Sequence, residues 1–154
     1  MNLKKALTSL LAVSMMFSIS APVFADNADV RPTVVGIADT RETALSYIIG
    51  NSYSLFLSDS NDKDWYKWTN TGAGRFILVY LQPQGQNIKF RMGIEMVHKD
   101  GTETSRFYAP TLNGNANGMY IRNLYVPEGA TVYAVIDSTE FIAQGQYTFM
   151  LDAY

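Results

Sequence analysis

From Ser52 onward the chain offers only short β-branched and aromatic runs, each closed by a turn signal before a helical period can establish itself. The runs read as strands at Tyr53–Leu57, Trp65–Thr69, Arg75–Leu81, Phe90–Val97, Thr104–Tyr108, Met119–Val126, Thr131–Asp137 and Tyr147–Asp152. Between them stand "NTGAG", "QPQGQN", "HKDGT", "TLNGNANG", "PEGA" and "AQGQ". Each contains glycine, which reaches the left-handed backbone that tight turns demand. The one helix-compatible stretch is "DTRETALSYI", which Asp39 or Thr40 could cap. Gly36 and Gly50 bracket it, so it is expected to make a single turn and no more. No repeat of the length used by solenoids or propellers is visible. The expected fold is all-β, a jelly-roll-like antiparallel sandwich of about eight strands.

Strand alternation assigns faces. In "DWYKW", Lys67 should point to water, which puts Tyr66 and Trp68 on the core side. Trp65 then shares the outer face with Lys67 and is exposed unless a loop covers it. Tyr80 is also expected in the core, whereas Tyr120, Tyr125, Tyr133 and Tyr147 are open to either reading.

The first residues have the form of an export signal. Lys4 and Lys5 precede an uncharged apolar run from Ala6 to Ser20, and Val23 and Ala25 place small residues where a signal peptidase reads. The run is shorter than the roughly 20 residues needed to span a bilayer. Cleavage after Ala25 divides the chain into a signal peptide (1–25), a loose segment (26–36) and one domain (37–154). Losing Lys4 and Lys5 reduces the 12 basic residues to 10 against 14 acidic, a net charge of −4. That balance argues against nucleic acid and anionic membrane as partners. Cysteine is absent, which excludes disulfides, thiol catalysis and thiolate metal sites.

The acidic stretch "SDSNDKDWYKW", Ser58 to Trp68, invites a metal reading. An EF-hand fails on position: counting from Asp59, Lys63 stands fifth, Asp64 sixth and Asn70 twelfth, where a ligand, glycine and glutamate belong. A site assembled from separate segments, or a solvated turn before a strand, remain as alternatives. Catalysis finds less support. His98 is the single histidine and sits in "VHKDGT", a strand end running into a turn. No zinc-binding histidine pair, G-x-S-x-G elbow or phosphate loop is present. Carboxylate pairs such as Asp62 or Asp64 with Glu95 or Asp137 are what any acidic β protein offers.

In order along the chain, "DTRETA", "YSLFLSDSNDKDWYKWTNTGAGRFILVYLQ", "KFRMGIEMVHKDGT", "LYVPEGATVYAVID" and "GQYTFMLD" resemble the bacterial pre-peptidase C-terminal domain. That family includes the collagen-binding modules of secreted bacterial collagenases, and the likeness runs from Ile37 to Asp152. It implies a non-catalytic jelly-roll sandwich. By the resemblance, calcium ligands fall on Asp62 and Asp64 in the turn and on Asp39 in the preceding segment. The family's E-P-N-[ND] segment is here Gly36, Ile37, Ala38 and Asp39, so two of its oxygen ligands are missing. Collagen-contacting tyrosines correspond to Tyr133 and Tyr147, while Ile136 replaces a third.

Together these readings predict a secreted, extracellular module that binds a protein or polysaccharide through Trp65, Tyr133 and Tyr147. It needs no cofactor, calcium being the ion it could take, and it does not insert into membranes once the signal is removed. A second reading makes it a secreted effector, an antibacterial protein or protease inhibitor on the same sandwich.

Overall fold

The computed structural model describes residues 38–85, 89–110, 118–140 and 145–154. The expected signal peptide (1–25) and loose segment (26–36) lie outside these residues, as does Ile37. Nine strands follow in order: β1 Leu45–Ser46, β2 Ser52–Phe56, β3 Asp64–Thr69, β4 Arg75–Gln84, β5 Lys89–Val97, β6 Phe107–Tyr108, β7 Met119–Val126, β8 Thr131–Glu140 and β9 Gln146–Ala153. They form a five-stranded sheet, β1-β3-β8-β5-β6, and a four-stranded sheet, β2-β9-β4-β7. All pairings are antiparallel except β1 with β3. The expected sandwich is the observed one.

The core follows from alternation. Ile77, Val79 and Leu81 of β4, Met92 and Ile94 of β5, Val132 and Ile136 of β8, and Phe149 and Leu151 of β9 are all buried in one cluster. Burying each such side chain contributes about 1.5–3 kcal/mol relative to leaving it in water. Across the gap between sheets, the Tyr66 ring of β3 stacks on Phe149 of β9 at 4.4 Å with 21° between planes. Tyr47 meets the same Phe149 edge-on at 5.3 Å. These rings fill a wide interlayer space that aliphatic side chains alone would leave underpacked.

"DTRETALSYI" makes its single turn, with Ala44 N–H donating to the Arg41 carbonyl at 3.3 Å and Thr43 N–H to Thr40 Oγ1 at 3.4 Å. It then extends as β1 alongside β3. The expected strand Thr104–Tyr108 is shorter than its sequence suggested. Glu103 makes a lone bridge to Val97, and regular pairing resumes only at Phe107. Between them the Arg106 side chain folds back across the sheet, and its Cδ lies within reach of the space above Gly93.

Candidate functional site

Asp64 opens β3 and points into the gap between the sheets rather than outward. Its Oδ2 accepts a hydrogen bond from the Tyr147 hydroxyl of β9. Tyr147 Oη and Tyr66 Oη are 2.8 Å apart, so with Tyr147 donating to the carboxylate, Tyr66 donates to Tyr147. A three-member polar chain therefore bridges the two layers. Burial is the main cause that pushes the Asp64 carboxyl up to about 7; Tyr147 opposes this, while Asp62 and Asp39 add to it by repulsion. Burial likewise raises both tyrosine hydroxyls.

The three acids of the anticipated metal site thus lie close enough to feel one another. Asp62 Oδ2 is engaged by the Ser58 N–H at 2.5 Å, and Asp59 Oδ1 by the Asn61 N–H at 2.7 Å, so both acids also shape their own turn. In charge the set suits a divalent cation. In number it does not: among the described residues no group of three or more acidic, histidine or cysteine side chains converges as metal ligands.

Two of the three aromatic contact residues expected from the sequence are buried. Tyr147 is 0% exposed, because β9 lies between β2 and β4 and turns this ring into the core, against Phe90 at 5.3 Å. Trp65 does stand on the outer face of its sheet, yet it is only 6% exposed. The chain at Ala38–Leu45 covers it, packing Ala38 and Ala44 on the indole, and Ala38 C=O accepts from Trp65 N–H at 2.9 Å. Trp68 is half-buried. Tyr80 also departs from expectation: its hydroxyl bonds to Gln82 two residues on, along the outer face of β4.

Tyr133 is half-buried and helps to line an open cleft of about 320 Å³ together with Arg41, Glu42, Val97 and Glu103. This outer face is held by arginines stacked on rings. Arg41 lies 4.6 Å from the Tyr133 centroid and pairs with Glu103 at 2.8 Å. Arg106 lies 4.9 Å from Trp65 and pairs with Glu95 at 2.6 Å. Arg91 lies 4.8 Å from Tyr108 and grips both Asp137 oxygens at 2.7 Å. Glu95 and Asp137, the acids offered to a carboxylate pair, are therefore committed to arginines on the face opposite Asp64. His98 serves a turn, its N–H donating to the Thr102 carbonyl at 2.8 Å and its own carbonyl accepting from Gly101 at 2.9 Å.

The four-stranded sheet contributes Phe76 and Tyr154, which sequence reasoning did not single out, and Tyr120 and Tyr125, which it left open. Phe76 and Tyr125 face each other across β4 and β7, 45% and 52% exposed, with centroids 5.4 Å apart. Tyr154, 63% exposed, sits beside them through paired backbone bonds to Phe76. A second cross-strand pair, Tyr80 with Tyr120, lies further along the same two strands. The signal that could have found them was the parity of "RFILVYLQ", whose even positions share one face.

No family model and no curated protein matches the sequence. Among solved structures, a crystal structure of the pre-peptidase C-terminal domain of collagenase from Bacillus anthracis is similar to this chain, with a TM-score of 0.55 and 14% sequence identity. The match covers 71% of this chain and 94% of that domain. In architecture, the described residues form a two-sheet β-sandwich similar in fold to that domain.

Proposed function

We propose that the chain is a secreted, non-catalytic module that binds an extracellular protein or polysaccharide. The observation that carries this reading is the set of large rings, Phe76, Tyr125 and Tyr154, left in water on a sheet whose core is otherwise well filled. Exposed aromatics of this size mark interaction surfaces more often than idle ones. Tyr133 in its cleft is the remaining contact carried over from the sequence. The similar fold in a collagenase domain supports an accessory role outside the cell, and the export-like N-terminus agrees with it. The commitment of Glu95 and Asp137 to arginine pairs supports a non-catalytic reading.

The purified chain should be depleted from solution by at least one polymer in a panel of fibrillar collagen, gelatin and insoluble cell-wall polysaccharides. Free passage over all of them would remove the reading. The fold is taken to stand without a cofactor, and calcium to act at most as a weak modulator by its charge near Asp39, Asp62 and Asp64, acids that do not converge into a ligand set. Its chemistry there would be relief of carboxylate repulsion. A calcium-dependent rise in melting temperature, abolished in Asp62→Asn, is the expected sign. An unchanged melting temperature with and without chelator would withdraw calcium and leave the binding role intact.

A further inference from the structure

The four-stranded sheet carries few charges. Within β2, β4, β7 and β9 the charged residues are Arg75, Arg122 and Asp152. Strands β3, β5 and β8 of the other sheet hold Asp64, Lys67, Lys89, Arg91, Glu95, Asp137 and Glu140. Beside the exposed rings stand the Asn123 amide and the exposed Asp152 carboxylate, opposite Leu78 between Phe76 and Tyr80, and further along the sheet the polar groups are neutral hydroxyls and amides. Ser54 Oγ and Thr148 Oγ1 are 3.1 Å apart, Gln84 Nε2 donates to Thr148 Oγ1 at 3.1 Å, and Asn123 lies beside Tyr154. Arg122 turns its guanidinium over the Tyr120 ring at 4.5 Å.

The rings are also actively aimed. Opposite Ile77 and Val79, two residues apart on β4, β7 presents Leu124 and Ile121, three apart. The extra residue is a bulge at Asn123, whose φ of 56° is left-handed. Without it, alternation from Tyr120 and Arg122 would send Leu124 outward and Tyr125 into the core. With it, Tyr125 emerges opposite Phe76. Tyr154 pins the bulge, its hydroxyl donating to Asn123 Oδ1 at 2.7 Å and accepting from Asn123 N–H at 3.3 Å. A non-glycine residue in this conformation is uncommon, and here it presents a ring to solvent.

We propose that this outer face, centred on Phe76, Tyr125 and Tyr154 and extended by Tyr80 and Tyr120, binds an uncharged polysaccharide. The inference rests on the binding-module reading and names its ligand class. A pyranose ring offers one C–H-rich face that packs on an aromatic ring and an edge of hydroxyls that pair with amides and hydroxyls. An anionic glycan would call for unpaired cations, whereas among the described residues Arg122 is the one basic residue placed among the rings, and it is stacked on one of them. Rings with largely neutral donors and acceptors, beside an Asp152 carboxylate that would repel an anionic chain, match a neutral one in charge.

Native affinity electrophoresis of the full chain through gels holding soluble mixed-linkage β-glucan, xyloglucan, galactomannan or amylopectin tests this. At least one gel should retard the chain, equally from about 50 to about 500 mM salt, because no ion pairs are involved. The double variant Phe76→Ala/Tyr125→Ala should weaken retardation about tenfold or more, while Phe76→Tyr/Tyr125→Phe, which keeps the rings, should not. A far-ultraviolet spectrum and melting temperature like the parent's would confirm that the alanine variant is folded. Mobility unaltered in all four gels overturns the inference, as does full binding by the alanine variant. Retention on collagen but on none of the four glycans overturns it while leaving the module reading standing; retention on nothing removes both.

Discussion

Asp64 illustrates how one buried carboxyl ties stability to pH. Its folded-state pKa of about 7 lies above the ordinary aspartate value near 3.8, so the folded chain holds this proton more tightly than the unfolded one. Its protonated form therefore favours folding. The contribution is complete below about pH 4, declines as pH rises toward 7, and is gone above that. Melting temperature should accordingly fall between about pH 4 and pH 7, and Asp64→Asn should flatten that decline and melt higher at the alkaline end. A parent-like slope in the variant would assign the pH dependence elsewhere. Tyr147→Phe removes the hydroxyl that serves both Asp64 and Tyr66, leaving two buried polar groups short of a partner. Loss of about 1–3 kcal/mol in chemical denaturation is the expected result. At this scale the sequence was legible in part. The acids of "SDSNDKD" announced a polar cluster, but that Asp64 turns inward to a tyrosine 83 positions away follows only from the pairing of layers.

At the scale of elements, two irregular pieces decide what each sheet shows to solvent. The segment Ala38–Ala44 and the Arg106 side chain just before β6 lie over the five-stranded sheet, held by Arg41 on Tyr133 and Arg106 on Trp65. Gly93 makes room for this: a Cβ there would meet Arg106 Cδ and Val135 Cγ1 at 3.0 Å and Tyr108 Cε1 at 3.1 Å. Gly93→Ala should cost about 1–3 kcal/mol in urea denaturation, since Val135 is fully buried and cannot yield. An alanine variant as stable as the parent would mean that Arg106 and the β6 segment lift away freely. Strand positions were readable from apolar alternation almost to the residue at Met119–Val126. The bulge within that strand was not, because one inserted residue leaves composition and length unchanged while reversing the faces beyond it.

For the molecule as a whole, the two layers share one core and differ in their outer surfaces: the five-stranded one is largely covered by chain and paired charges and shows rings only at its β6 edge, while the four-stranded one presents a group of bare rings. The same chemical change should therefore have opposite weight on the two sides of the four-stranded sheet. Phe149→Ala, within the interlayer stack, should lose about 3–5 kcal/mol, whereas Phe76→Ala should stay within about 0.5 kcal/mol of the parent. Equal losses in denaturant titrations would show that Phe76 belongs to the core after all. What the sequence settled unaided was the class of fold: short alternating runs between glycine turns can bury an apolar face only by laying sheet on sheet, and this holds whichever strands pair. Tertiary structure alone decided which aromatics reach water. Alternation fixes that Trp65 and Lys67 point the same way, but it carries no information about whether another segment then crosses above them. That depends on contacts between residues distant in the chain, and it buried Trp65 and Tyr147 while leaving Phe76 and Tyr125 exposed.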